Sequence, residues 1–217
     1  MIRLDHLTKS FRVQGARKIV IDDLSLDIPT GMSLALLGRN GAGKSTLLQL
    51  IAGTLRPDHG RVLTDGAVSW QIGQGNAFHR ELTGAQNVRF LARLYGVDTA
   101  EMSAFVRDFA ELGAHFHMPL RSYSSGMKSR LTFGASMAIP FDTYLIDEVT
   151  AVGDARFKRK SLAVFKDRLK GRSAVFVSHQ MKQVREFCNA ALVLEEGRAH
   201  FFDDVDAAIE MHQDLMR

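Results

Sequence analysis

The sequence predicts an α/β fold: a mostly parallel sheet covered by helices, with antiparallel strands before it and a helical segment inserted into it. Three observations predict this. Apolar runs of strand length alternate with helical segments along the chain. A glycine-rich loop joins one such run to a helix, and no strand pattern interrupts roughly residues 83 to 139. The 217 residues, 46% apolar and 24% charged, are enough for one domain with a proper core, and a single domain over 1–217 is expected.

Taken in order, IRLDHLTKSF (2–11) and IVIDDLSLDI (19–28) alternate well enough to pair as antiparallel strands. MSLALL (32–37) is an apolar strand, and KSTLLQLIAG (44–53) opens a helix. AVSWQI, ending at Ile72, is the next strand. TGAQNVRFLARLYG starts on a Thr-x-x-Gln capping box at Thr83 and stops at Gly96. AEMSAFVRDFAEL is a second helix, ending at Gly113, and a third runs from about Ser125 to Ile139 before Pro140. These helices make the insertion of about 83–139. The strands TYLID (143–147), SAVFVS (173–178) and AALVLEE (190–196) follow, and the helix DVDAAIEMHQDLM leads to Arg217.

Gly38-Arg39-Asn40-Gly41-Ala42-Gly43-Lys44-Ser45-Thr46 fits G-x-x-x-x-G-K-[ST], a loop whose backbone N–H groups wrap nucleotide phosphates. Gly38, Gly41 and Gly43 let the backbone approach an anion without a Cβ in the way. Lys44 reaches the β and γ phosphates, and the Ser45 hydroxyl can ligate Mg²⁺. The helix that follows favours anions at its N-terminus. ATP or GTP is the ligand this pattern selects.

Behind the loop, Tyr144-Leu145-Ile146-Asp147-Glu148 is a strand ending in two carboxylates. An acid at the C-terminal end of a parallel strand stands where ligands bind in open α/β sheets, and Asp147 can hold Mg²⁺ there. Glu148 projects one residue further, toward a water attacking the γ-phosphate. Another strand leads to His179, which can hydrogen-bond that phosphate and the water. Tyr123-Ser124-Ser125-Gly126-Met127 precedes a helix, and alone it is an ordinary N-cap. His115 and His117 have no third ligand nearby and read as loop residues.

Composition narrows the classes of function. No apolar run approaches the ~20 residues a membrane helix needs, and the N-terminus lacks a signal-peptide core. The lone Cys188 rules out an internal disulfide and fits a reducing compartment. The net charge of +4 is mild and scattered, apart from Arg156, Lys158, Arg159 and Lys160, and does not call for nucleic acid.

In their order, GRNGAGKST, YSSGM, YLIDE and Ser178-His179 resemble the ATPase subunits of ABC transporters over essentially the whole chain. The resemblance implies a P-loop NTPase of the ABC ATPase fold, with ATP and Mg²⁺ as cofactors and a homodimer as working unit. It makes Gly38 to Thr46 the Walker A loop, Asp147 the Walker B carboxylate, Glu148 the catalytic base and His179 the switch histidine. Ala151 to Asp154 becomes the loop that communicates across the dimer, and Phe11 falls where an aromatic ring stacks on adenine. Ser124-Ser125-Gly126 matches the signature motif, usually Leu-Ser-Gly-Gly-Gln. Tyr123, Ser125 and Met127 depart from it, while Ser124 and Gly126, expected at the γ-phosphate, are kept. The glutamine expected to reach Mg²⁺ and the membrane partner is Gln74 or Gln71: counting back from Leu82-Thr83 favours the first, the end of AVSWQI the second.

Within that family, SWQIGQGNAFHRELTGAQNVRFLARLYG, RSYSSGMKSRL and YLIDEVTAVGD look like the ATPase subunits of bacterial capsular polysaccharide exporters. Val149 stands where most ABC ATPases have Pro. O-antigen and teichoic-acid exporters share much of the pattern, but the O-antigen type often adds a C-terminal carbohydrate-binding domain, for which a chain ending at Arg217 leaves no room. Soluble ABC ATPases of nucleic acid or the ribosome are the competing class; they usually join two cassettes or add a coiled-coil insert. The resemblance therefore implies a motor on the cytoplasmic face of the inner membrane, partnered by an integral-membrane permease that carries the polysaccharide.

Overall fold

The computed structural model describes residues 1–72, 78–147 and 155–217. Its strands and helices, in chain order, are β1 (Ile2–Val13), β2 (Ala16–Ile28), β3 (Ser33–Leu37), α1 (Lys44–Ile51), β4 (His59–Thr64), β5 (Val68–Ile72), α2 (Gly84–Tyr95), α3 (Thr99–Ala110), α4 (Ser125–Ala138), β6 (Thr143–Asp147), α5 (Ala155–Leu169), β7 (Ser173–Val177), α6 (Met181–Phe187), β8 (Ala190–Glu195), β9 (Arg198–Phe202) and α7 (Val205–Met216). They divide into two compact units: Met1–Gln71, Phe141–Glu148 and Gly171–Arg217 in the first, Ile72–Pro140 and Val149–Lys170 in the second.

The first unit holds two sheets. One is antiparallel, in the order β2-β1-β4. Its β1–β2 hairpin closes on Gln14 and Gly15 (φ 51° and 83°), a two-residue turn with both φ positive, which matches the twist of the strands it joins. The other sheet runs β5-β6-β7-β3-β8-β9. Its strands β6, β7, β3 and β8 are parallel, and β9 folds back antiparallel on β8. Strands buried on both faces need continuous apolar runs, and β3 and β7 supply them. On one face Leu34, Leu36, Leu145, Val175 and Leu192 pack with Leu47 and Leu48 of α1 and with Leu4, Leu7 and Ile21 of the antiparallel sheet. On the other, Ala35, Leu37, Ala191 and Val193 pack with Val184 of α6 and Ala208 and Ile209 of α7.

In the second unit, α2 begins as the sequence predicts. Thr83 Oγ1 accepts from Gln86 N (3.1 Å), and Gln86 Oε1 accepts from Thr83 N (2.8 Å). Gly96 caps the other end in the left-handed region, φ 67°. Helix α3 departs from the expected end at Gly113: Glu111 takes the left-handed cap, φ 53°, and Gly113 opens a 3-10 turn through His117. Asn and Gly are the usual left-handed caps, so the pattern hid this one. Phe109 centres the packing of this unit, stacked on Phe105 (6.0 Å) and Phe133 (5.7 Å) and edge-on to Phe157 (5.2 Å). Gly134 of α4 sits so close that an added Cβ would lie 2.9 Å from the Phe109 ring.

Candidate functional site

Parallel strands that end level with one another present their next residues along one sheet edge. Asp147 ends β6 opposite Val177 of β7, and Leu36 of β3 pairs with that same Val177. The three strand ends therefore bring together Asp147, the turn to His179 and the loop that follows Leu37. Ser178 fixes that turn: its Oγ accepts from Gln180 N (3.0 Å) and donates to Gln183 Oε1 (3.1 Å).

The loop 38–46 owes its path to its glycines. Gly38 has φ 137°, and a Cβ there would stand 2.4 Å from the Leu194 carbonyl oxygen of β8. Gly43 has φ 108°, and its Cβ would lie 2.5 Å from a Val20 methyl of β2. Only glycine passes between two strands this close in these conformations. Gly43 then caps α1 without a side-chain acceptor, and the first turn of α1 carries no acid. A helix start of this kind, with neither a side-chain cap nor an acid, suits an anion. Lys44 Nζ donates to the carbonyls of Gly38 (2.6 Å) and Arg39 (3.0 Å), arching back over the loop it belongs to.

These groups border an open pocket of about 400 Å³. Asn40, Gly41, Gly43, Lys44, Ser45 and Thr46 form its floor, and Asp147 and His179 one wall. Phe11, the candidate adenine contact, enters from the antiparallel sheet with its ring partly exposed. Sequence reasoning missed the rest of that wall, Val13, Val20 and Lys18. Lys18 pairs with Phe11 across the hairpin, a position set by register and visible only once β1 and β2 are aligned.

A model of the ABC transporter family matches residues 21–151, more than half of the chain. The chain belongs to the ABC transporter family. Over 221 residues it is 48% identical to the polysialic acid transport ATP-binding protein KpsT of Escherichia coli, with 99% of each chain covered. It is 41% identical to the capsule polysaccharide export ATP-binding protein CtrD of Neisseria meningitidis serogroup B, over 99% of this chain and 100% of that one. A solved dimeric, post-hydrolysis state of the ATP-binding cassette MJ0796, bound to ADP and Pi, matches with a TM-score of 0.77 over 92% of this chain and 98% of that one. At 21% identity that likeness speaks for the fold, which is the ABC ATPase cassette.

Of the other ABC motif residues, Ser124 and Gly126 belong to the second unit. Ser124 caps α4, its hydroxyl accepting from Met127 N (3.2 Å), and Gly126 lies in the first turn with open space where a Cβ would be. Tyr123, which replaces the usual Leu, is a packing residue: its buried hydroxyl donates to the His115 carbonyl (2.6 Å), and burial raises its pKa. Gln71 is buried in β5, its Nε2 without a hydrogen-bond partner, and does not line the pocket. Gln74, Glu148 and Asp154 lie outside the described residues.

Proposed function

We propose that this protein is the ATP-hydrolysing subunit of an ABC exporter that drives capsular polysaccharide across the bacterial inner membrane. The observation that carries the reading is a pocket lined by Lys44, Ser45, Asp147 and His179 on a chain that matches polysaccharide-export ATP-binding proteins from end to end. No helix among the described residues is long and apolar enough to cross a membrane, so the polymer passes through a separate permease. The motor docks on that permease at the cytoplasmic face.

The chemistry follows from the pocket. The loop N–H groups and Lys44 hold the β and γ phosphates, and Phe11 supports the base. The Ser45 hydroxyl and the Asp147 carboxylate line the same pocket, and such hard oxygen donors suit Mg²⁺, with Gln74 as a further oxygen. Held there, Mg²⁺ would neutralise charge on the phosphates. Glu148 takes the proton of a water whose oxygen forms the new bond to the γ-phosphorus, while the bond from that phosphorus to the ADP oxygen breaks. His179 orients the γ-phosphate and the water. Ser124 and Gly126 complete the site of a second subunit, and Asp154 links the two sites, so the working unit is a homodimer. Closing around ATP moves the docked permease.

Deleting the gene tests the export reading. Polymer synthesis should continue while polymer accumulates inside the cell, seen by immunogold labelling against a bare surface. A normal capsule with impaired growth or translation would overturn export in favour of a soluble ATPase.

A further inference from the structure

One face of the β1–β2 hairpin forms a wall of the pocket. Phe11, Val13, Lys18 and Val20 line it, three apolar side chains and a single cation. Strand register sets them side by side. Phe11 pairs with Lys18 across the hairpin, so the two share a face, and Val20 follows Lys18 by two residues on that face. Val20 in turn lies against the phosphate loop, since a Cβ on Gly43 would stand 2.5 Å from its methyl. The β8–β9 turn also holds this strand, its Gly197 carbonyl accepting from Asp22 N (2.9 Å).

Lys18 also borders a second cavity, of about 420 Å³, and Asn40 and Gly41 border both. The lysine therefore stands where the two cavities meet, beside the first half of the phosphate loop. Arg39 borders the second cavity alone. The charges next to Lys18 on the hairpin are already engaged. Lys9 Nζ is bonded to Asp58 (2.8 Å) and lies over the Phe11 ring (5.5 Å), and Arg17 Nε donates to Ser10 Oγ (3.0 Å). Lys18 has no ion pair or hydrogen bond of its side chain among the described residues, Glu195 and Glu196 across the second cavity included. An exposed ammonium on a flexible four-carbon stem, set in an otherwise apolar wall, is a point charge able to swing to an anion in the pocket.

We propose that Lys18 binds the α-phosphate of the nucleotide, as the counterpart of Lys44 at the base end of the pocket. The proposal rests on the reading of the pocket as a nucleotide site. With the base on Phe11 and the β and γ phosphates at Lys44, the ribose and the α-phosphate lie between them. Lys18, cross-strand partner of Phe11 and neighbour of Asn40 and Gly41, is the cation on that stretch. Its ammonium donates to the phosphate oxygens, a charge-assisted bond. The site is open to water, so the contact is modest and weakens as salt is added.

The test is titration calorimetry of MgADP and of the nonhydrolysable MgAMP-PNP. It compares the wild type with Lys18→Met, which keeps the stem without the charge, and with Lys18→Arg, which returns the charge. Lys18→Met should weaken both ligands by the same factor, about fivefold at low salt, and the gap to wild type should close as salt is raised. Lys18→Arg should recover most of the affinity, and both variants should keep the thermal midpoint of the empty wild-type protein. Unchanged affinity in Lys18→Met, a loss that ignores salt, or a loss confined to MgAMP-PNP would overturn the proposal alone. So would a loss accompanied by a lower midpoint of the empty protein, which would make Lys18 a structural partner of Glu195 or Glu196. A wild-type protein that does not bind MgADP would overturn the nucleotide-site reading and the proposal with it.

Discussion

Glycines that look alike in the sequence do different work. Gly43 adopts φ 108° and a Cβ would collide with Val20, so Gly43→Ala strains the loop before any ligand arrives. Gly126 has no positive φ and meets only the Ser124 Oγ, 4.0 Å away. Its own chain therefore gives no reason for glycine. Within a helix, Gly→Ala stabilises by about 0.5–1 kcal/mol. Gly126→Ala should accordingly keep or raise the thermal midpoint while ATPase activity falls, since the proposed composite site places a γ-phosphate of the partner in the space that the methyl fills. Gly43→Ala should lose thermal stability and nucleotide affinity together. Calorimetric scans beside steady-state ATPase assays read both; a Gly126→Ala protein with full activity would remove Gly126 from the composite site.

At the scale of elements, Asp58 clasps the antiparallel sheet. Asp58 accepts from Lys9 Nζ (2.8 Å), Ser10 N (2.8 Å) and Ser10 Oγ (2.7 Å), joining β1 to the segment that leads into β4. The Lys9 hydrogen bond first, then those from Ser10, hold its carboxyl well below the usual carboxylate range. A depressed carboxylate contributes stability that is fully present above the unfolded value, about 3.9, and fades as pH falls toward the folded one. Asp58→Asn should thus lower the thermal midpoint at neutral pH, and the gap to wild type should narrow below about pH 4. A gap that does not depend on pH would contradict an ionised Asp58 as the clasp. The same sheet marks where sequence reading stops. The hairpin β1–β2 and the ends of α2 were legible because alternation, a capping box and Gly96 are local signals. Strands β4 and β9 were not: most of their residues are exposed, and they become strands by pairing with β1 and β8. Lys44, Ser45 and Asp147 could be read from motif spacing and strand ends. Lys18 reaches the pocket only through strand register, which no short window encodes.

For the whole molecule, Ser124 caps a helix in one unit while the phosphate loop belongs to the other, and the family reading has them meet across a dimer. Subunits carrying Lys44→Ala and Ser124→Arg should each be inactive alone. Mixed, they form one site with both defects and one with neither, and part of the ATPase activity should return. A mixture that assembles yet stays inactive, together with failed crosslinking of Ser124→Cys to Ser45→Cys between subunits, would return Ser124 to its plain capping role. The central claim is that nucleotide held in this pocket powers polymer export, and complementation tests it most directly. Losing the Lys44 ammonium should weaken nucleotide binding by about a hundredfold, ~3 kcal/mol, because the phosphates keep their desolvation cost without their charged partner. In a strain lacking the gene, supplied with wild-type or Lys44→Ala protein at equal levels, the position of labelled polymer is scored by electron microscopy. The account predicts surface polymer with the wild type and internal polymer with Lys44→Ala. Surface polymer at wild-type density in the Lys44→Ala strain would contradict it.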